Sequence, residues 1–99
     1  MLIYHIVLPE RWNSIDLTAP YEAESLEAEG FIHCSYAGQL ITVLSRYYAG
    51  ADSVLILEID TDNLTSRFVE EPSTNNEIYP HIYGPINRDS IIGIEARKL

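Results

Sequence analysis

Cysteine occurs once in the 99 residues, at Cys34. A single thiol excludes an internal disulfide framework, and the chain reads as a protein of a reducing, cytoplasmic compartment. Basic residues are scarce too: six Lys and Arg stand against fifteen Asp and Glu, a net charge of −9. A field of that sign repels phosphate backbones and anionic bilayers, so neither polymeric nucleic acid nor a membrane surface is an expected partner. A small anionic ligand stays open, because one arginine or one helix N-terminus can hold a phosphate locally. No apolar run approaches the roughly 20 residues of a membrane span. The opening "MLIYHIVLPERW" lacks the basic n-region and small-residue cleavage site of a signal peptide and reads as a strand. With no repeat, low-complexity tract or linker, residues 1–99 read as a single domain.

What is present is a sequence of short, well-punctuated elements. "LIYHIVL" (2–8) is apolar and β-branched, a strand. "PERWNS" follows, with proline in a first helical turn and Trp12 as an anchor. "APYEAESLEAEG" predicts a turn and a short acidic helix stopped by Gly30. "FIHCS" (31–35) is strand-like, and "AGQLITVLSRYYAG" carries one apolar helical face ending towards Gly50. "SVLILEID" is the most apolar strand and is expected at the centre of a sheet. "TSRFVEE" and "SIIGIEARK" predict two more strands, the second with a glycine suited to a bulge. "EEPSTNNE" (70–77) predicts a loop, and the two prolines of "EIYPHIYGPI" force an extended segment. The order predicts an α+β fold with a small split or mixed β-sheet core and helices mainly in the N-terminal half.

The chain has three histidines, His5, His33 and His81, each inside a strand-like segment. Alternation puts Phe31, His33 and Ser35 on one face and Ile32 and Cys34 on the other. His81 shares a face with Tyr79 and Tyr83, and His5 with Ile3 and Val7. Two readings follow. Each histidine is a part-buried side chain bonded to backbone or a carboxylate. Alternatively, the three strands meet, and their polar faces line one cleft that binds a polar ligand or moves a proton. Cys34, opposite His33, is expected in the core rather than as a nucleophile. Ser35 lacks the G-x-S-x-G elbow of a serine hydrolase, and the histidine spacing gives no metal motif. Gln39, in the first turn of the helix after "FIHCS", can reach the same cleft. Glu70 and Glu71 follow a strand, and one of them points inward if that strand continues. Tyr47 and Tyr48 fall in a helical stripe and are expected in the core or half-buried. Arg11, Arg46, Arg67 and Arg88 are the available phosphate-binding cations.

The motifs "IYHI", "SLEAEGFIHCSYAGQL", "VLILEID" and "YPHIYGPI" span nearly the whole chain. Together they resemble the bacterial domain-of-unknown-function family 952. That family is in turn similar to the ADP-ribosyltransferase-like superfamily, whose split sheet binds NAD in a cleft. The resemblance implies that His5 lies on the nicotinamide-ribose side and that His33 and Ser35 sit at the cleft. It puts His81, with Tyr83 beside it, where a catalytic acid stands. The last motif has histidine where many transferases have glutamate, which argues against protein mono-ADP-ribosylation. RNA phosphotransferase relatives work without that glutamate but rely on basic residues, which this chain has few of. The expected site is therefore His33 and His81 for acid–base chemistry, with His5, Ser35, Gln39 and Tyr83 binding the ligand. No cofactor is required, and NAD enters as a substrate or a nucleotide-like small ligand. The alternative is a non-catalytic module that binds a small ligand or a protein.

Overall fold

The segment "SVLILEID" forms the middle strand of a three-stranded sheet in the computed structural model, which describes residues Met1–Leu99. That strand, Ser53–Asp60 (β3), lies between Leu2–Val7 (β1) and Ile91–Lys98 (β6), antiparallel to both. Its register with β1 sets Ile3 opposite Ile59 and His5 opposite Leu57. Between β3 and β6 the register slips at Glu58/Ile59, where Gly93 of β6 faces Glu58. A Cβ at Gly93 would meet the Glu58 side chain at 3.4 Å, an ordinary contact distance, so the position does not demand glycine on steric grounds. The predicted bulge is present.

A second antiparallel sheet has the order Ile32–His33 (β2), Ile78–Tyr83 (β5), Arg67–Pro72 (β4). All ladders are antiparallel, so the core is split but not mixed in strand direction. The expected loop at 70–77 is shorter than the sequence suggests. β4 runs on through Pro72, a residue tolerated at the end of an edge strand, and a short turn covers Thr74–Asn76.

Three α-helices precede residue 48: Pro9–Asn13 (α1), Glu24–Glu29 (α2) and Leu40–Tyr47 (α3). Gly30 closes α2 in the left-handed conformation, with φ 88°. α3 ends at Tyr47, before Gly50, with Tyr48 as its C-cap.

The inner faces of the two sheets share one core. Ile3, Leu57 and Ile59 come from the first sheet, and Ile32, Cys34 and Ile82 from the second. A second apolar layer lies on the back of the first sheet, where Leu40 and Leu44 of α3 cover Ile6, Val54 and Ile56. The result is an α+β fold of two small antiparallel sheets with few helices.

Candidate functional site

The two sheets are joined by one backbone rung. Tyr4 and Ser35 exchange both hydrogen bonds, at 2.8 and 2.7 Å. An antiparallel ladder continued by one step would pair Ile6 with His33. The strands diverge instead, and side chains occupy the gap. The His5 ring reaches across to the His33 carbonyl, with Nδ1 at 2.6 Å, and its Nε2 lies 2.9 Å from the Tyr21 hydroxyl. A carbonyl only accepts, so Nδ1 carries the proton and Nε2 accepts from Tyr21. On the other side of the gap, the Tyr48 hydroxyl donates to the Ile6 carbonyl. Burial lowers the His5 pKa from 6.5 to about 4, so the ring is neutral. Tyr21, itself buried against Trp12, has its pKa raised by the same desolvation. His5 is thus a locked, neutral clasp across the split.

His33 and His81 are cross-strand partners in the second sheet, with ring centroids 5.3 Å apart. Each imidazole meets a carboxylate. His33 Nε2 lies 2.9 Å from Glu29 at the end of α2, and His81 Nδ1 lies 2.7 Å from Glu71 of β4. Their settings differ. The His33 side chain is 49% exposed, whereas His81 is 3% exposed and stacked on Phe31 at 4.3 Å. The Tyr83 hydroxyl donates to the same Glu71 oxygen that His81 uses. These bonds, that from Tyr83 first, hold the Glu71 carboxyl below its ordinary pKa. The Tyr83 hydroxyl is raised in return. His81 Nε2 is buried with no partner.

The diverging sheets leave a cleft of about 670 Å3. His5, Tyr21, His33 and Ser35 line it, together with Tyr47 and Tyr48 at the end of α3 and with Arg11, Glu29 and Tyr79. That volume lies in the range of small-molecule sites. Two buried donors on this lining, Arg11 Nε and the Tyr79 hydroxyl, lack hydrogen-bond partners. The Arg46 guanidinium lies near Tyr47 and Tyr79, two residues of the lining, without lining the cleft itself. No three His, Cys, Asp or Glu side chains come together in a way that would hold a metal ion.

The family model described as "Protein of unknown function (DUF952)" matches residues 6–94. The chain belongs to the DUF952 family. Among solved structures it is similar to protein CC0527 from Caulobacter crescentus, at 23% identity and a TM-score of 0.88. A double mutant of that protein matches at 22% identity with the same score. Each match covers 100% of this chain and 88% of the other. At that identity the likeness concerns the fold. No curated protein matches the chain.

In this DUF952 chain, then, His5, His33 and Ser35 meet at one cleft. His81 adjoins His33 but lies beneath Phe31, outside the lining. Tyr83 lies further along β5, on Glu71. Gln39 is turned away from the cleft. Its carbonyl oxygen accepts from the Tyr36 amide, and its nitrogen donates to Glu77 and to the Ile78 carbonyl. Cys34 is buried in the core and borders the cleft from behind His33 and Ser35, and desolvation raises its pKa, which disfavours the thiolate. Of the two carboxylates after β4's start, Glu71 is the one turned to the histidines, while Glu70 accepts from Tyr36. Tyr21 escaped sequence reasoning altogether. It sits in "APYEA", where no periodicity assigns it a face.

Proposed function

We propose that the cleft at the sheet split binds a small nucleotide-like molecule of the NAD or ADP-ribose type. In this reading His5, Tyr21 and Ser35 shape the lining that receives the ribose, and His33 and His81 serve acid–base chemistry. What carries the reading is the His5 clasp: the ladder is interrupted where two histidine-bearing strands part, and the gap opens as a lined cleft. The carboxylates support it further. Glu29 and Glu71 each orient an imidazole, and a carboxylate behind a histidine fixes its tautomer and stabilises the imidazolium that forms when it takes a proton. The resemblance to the ADP-ribosyltransferase-like superfamily fits a split sheet with a ligand in the gap. By that resemblance His81 would take the position of a transferase's glutamate, which favours a small-molecule substrate over transfer to a protein side chain. A histidine is a poor partner for an oxocarbenium-like charge.

One observation favours a second reading, a binding module without catalysis. Both His5 nitrogens are occupied, and His81 is shielded by Phe31, so only His33 is open to a ligand. Incubation with NAD and with ADP-ribosylated metabolites, followed by mass spectrometry, separates the two. Turnover that His33→Ala abolishes supports the enzyme. Saturable binding without turnover supports the module, and neither binding nor turnover removes both.

A further inference from the structure

The cleft is lined by one cation. Of the six basic residues, Arg88 is committed to the 16–19 turn: it donates to the Ala19 and Asp16 carbonyls and lies over the Trp12 ring. Arg97 is paired with Glu95, and Lys98 ends β6 on the far edge of the first sheet. Arg67 lies over the Tyr83 ring and Arg46 over the Tyr47 ring, and neither is among the lining residues. Arg11 alone is. Its Nη2 donates to the Glu22 carbonyl at 2.7 Å, which fixes the side chain, while its Nε is buried with no partner. No carboxylate lies within ion-pair distance of it. A pinned guanidinium with an unmet donor is preorganised for an anion that presents two oxygens side by side, as a phosphate does. The Tyr79 hydroxyl, on a different element of the same lining, donates to no protein acceptor and lies beside the Arg46 guanidinium.

We infer that Arg11 holds a phosphate of the ligand, so that the cleft selects a phosphorylated nucleotide over the corresponding nucleoside. The inference rests on the reading of the cleft above. It also limits the ligand's charge. With Glu24 and Glu29 on the same lining, one guanidinium serves a single phosphate or a short diphosphate and does not serve an extended polyanion.

The test is calorimetric titration of the full chain with adenosine, AMP and ADP-ribose at low and high salt. Native protein is expected to bind AMP and ADP-ribose about tenfold or more tightly than adenosine, a preference that salt weakens. Arg11→Met should erase the preference, bringing AMP and ADP-ribose affinity down to that of adenosine for the same variant. Arg11→Lys, which keeps the charge but loses the fork, should retain part of it, and it serves as the folded control if the methionine variant unfolds. Equal affinity for adenosine and AMP in the native protein, or a preference that survives Arg11→Met, would overturn the assignment of Arg11 alone. Absence of binding by all three probes would overturn the nucleotide cleft and this inference with it.

Discussion

The β1–β3–β6 sheet is covered on both faces along β1 and β3: the shared core packs on one side, and α3 packs on the other. The β2–β5–β4 sheet gives its inner face to that core through Ile32 and Ile82. Its outer face carries Phe31, His33, His81, Glu71 and Tyr83 in mutual contact. The first sheet thus supplies stability, and the second supplies polar groups that apolar burial does not require. His5 is the exception, a polar side chain of the first sheet. It faces the seam, and its bonds run to His33 of the second sheet and to Tyr21. The difference teaches where to look for chemistry: on the second sheet and at the seam.

Substitutions should separate the two roles. Leu57→Ala empties a fully buried position of the first sheet and should cost about 2–5 kcal/mol in urea unfolding. A loss below about 1 kcal/mol would mean the first sheet is not the stabilising half. Next in size is the acid response of the seam. The His5 pKa is about 4 in the folded protein against 6.5 unfolded, so its stabilising effect is complete above 6.5 and is lost as pH falls towards 4. A shift of that size corresponds to about 3 kcal/mol. Unfolding midpoints followed against pH should fall over this window in the native protein and stay flatter in His5→Gln. Parallel pH curves would remove His5 from the seam's energetics. The Glu71 carboxyl, whose pKa is lowered from 4.5, adds its own loss only below that value, so the second sheet responds to acid later than the seam.

Tyr21→Phe deletes the hydroxyl that donates to His5 Nε2 and leaves a buried acceptor unmet. The expected cost is about 1–2 kcal/mol, measured as the same shift in unfolding midpoint. A neutral result would show that water or another donor already serves that nitrogen. Smallest in stability is His33→Ala, within about 0.5 kcal/mol because the ring is half exposed, yet this change should remove turnover or ligand affinity. A His33→Ala protein that unfolds more readily but binds as before would reverse the roles assigned to the two sheets.

Much of the frame was legible in the sequence. Alternation in "FIHCS" correctly sent Ile32 and Cys34 to the core and His33 to the other face, and Gly30 stops its helix as its composition requires. The central place of β3 followed from its apolarity. Other features depend on tertiary contacts that no local pattern encodes. β2 keeps two ladder residues, because β5 pairs with Ile32 and His33 while β1 takes over at Ser35. Gln39 is absorbed by the Tyr36 amide and the 77–78 backbone and side chain, partners remote in sequence. His81 shares a face with Tyr79 and Tyr83 as alternation demands, but Phe31 covers it. Two aromatic residues stacked across strands cannot be read from either strand alone. Arg11 stood among four arginines, and only the packing of α1 against the seam singles it out.

The central claim is that the seam between the sheets is a ligand site. Backbone amide NMR during titration with ADP-ribose tests it most directly. Saturable shifts at Tyr21, His33, Ser35 and Tyr47, with Glu95 and Arg97 of β6 unmoved, are the predicted result. No saturable shift at the seam, or shifts centred on β6, would contradict it.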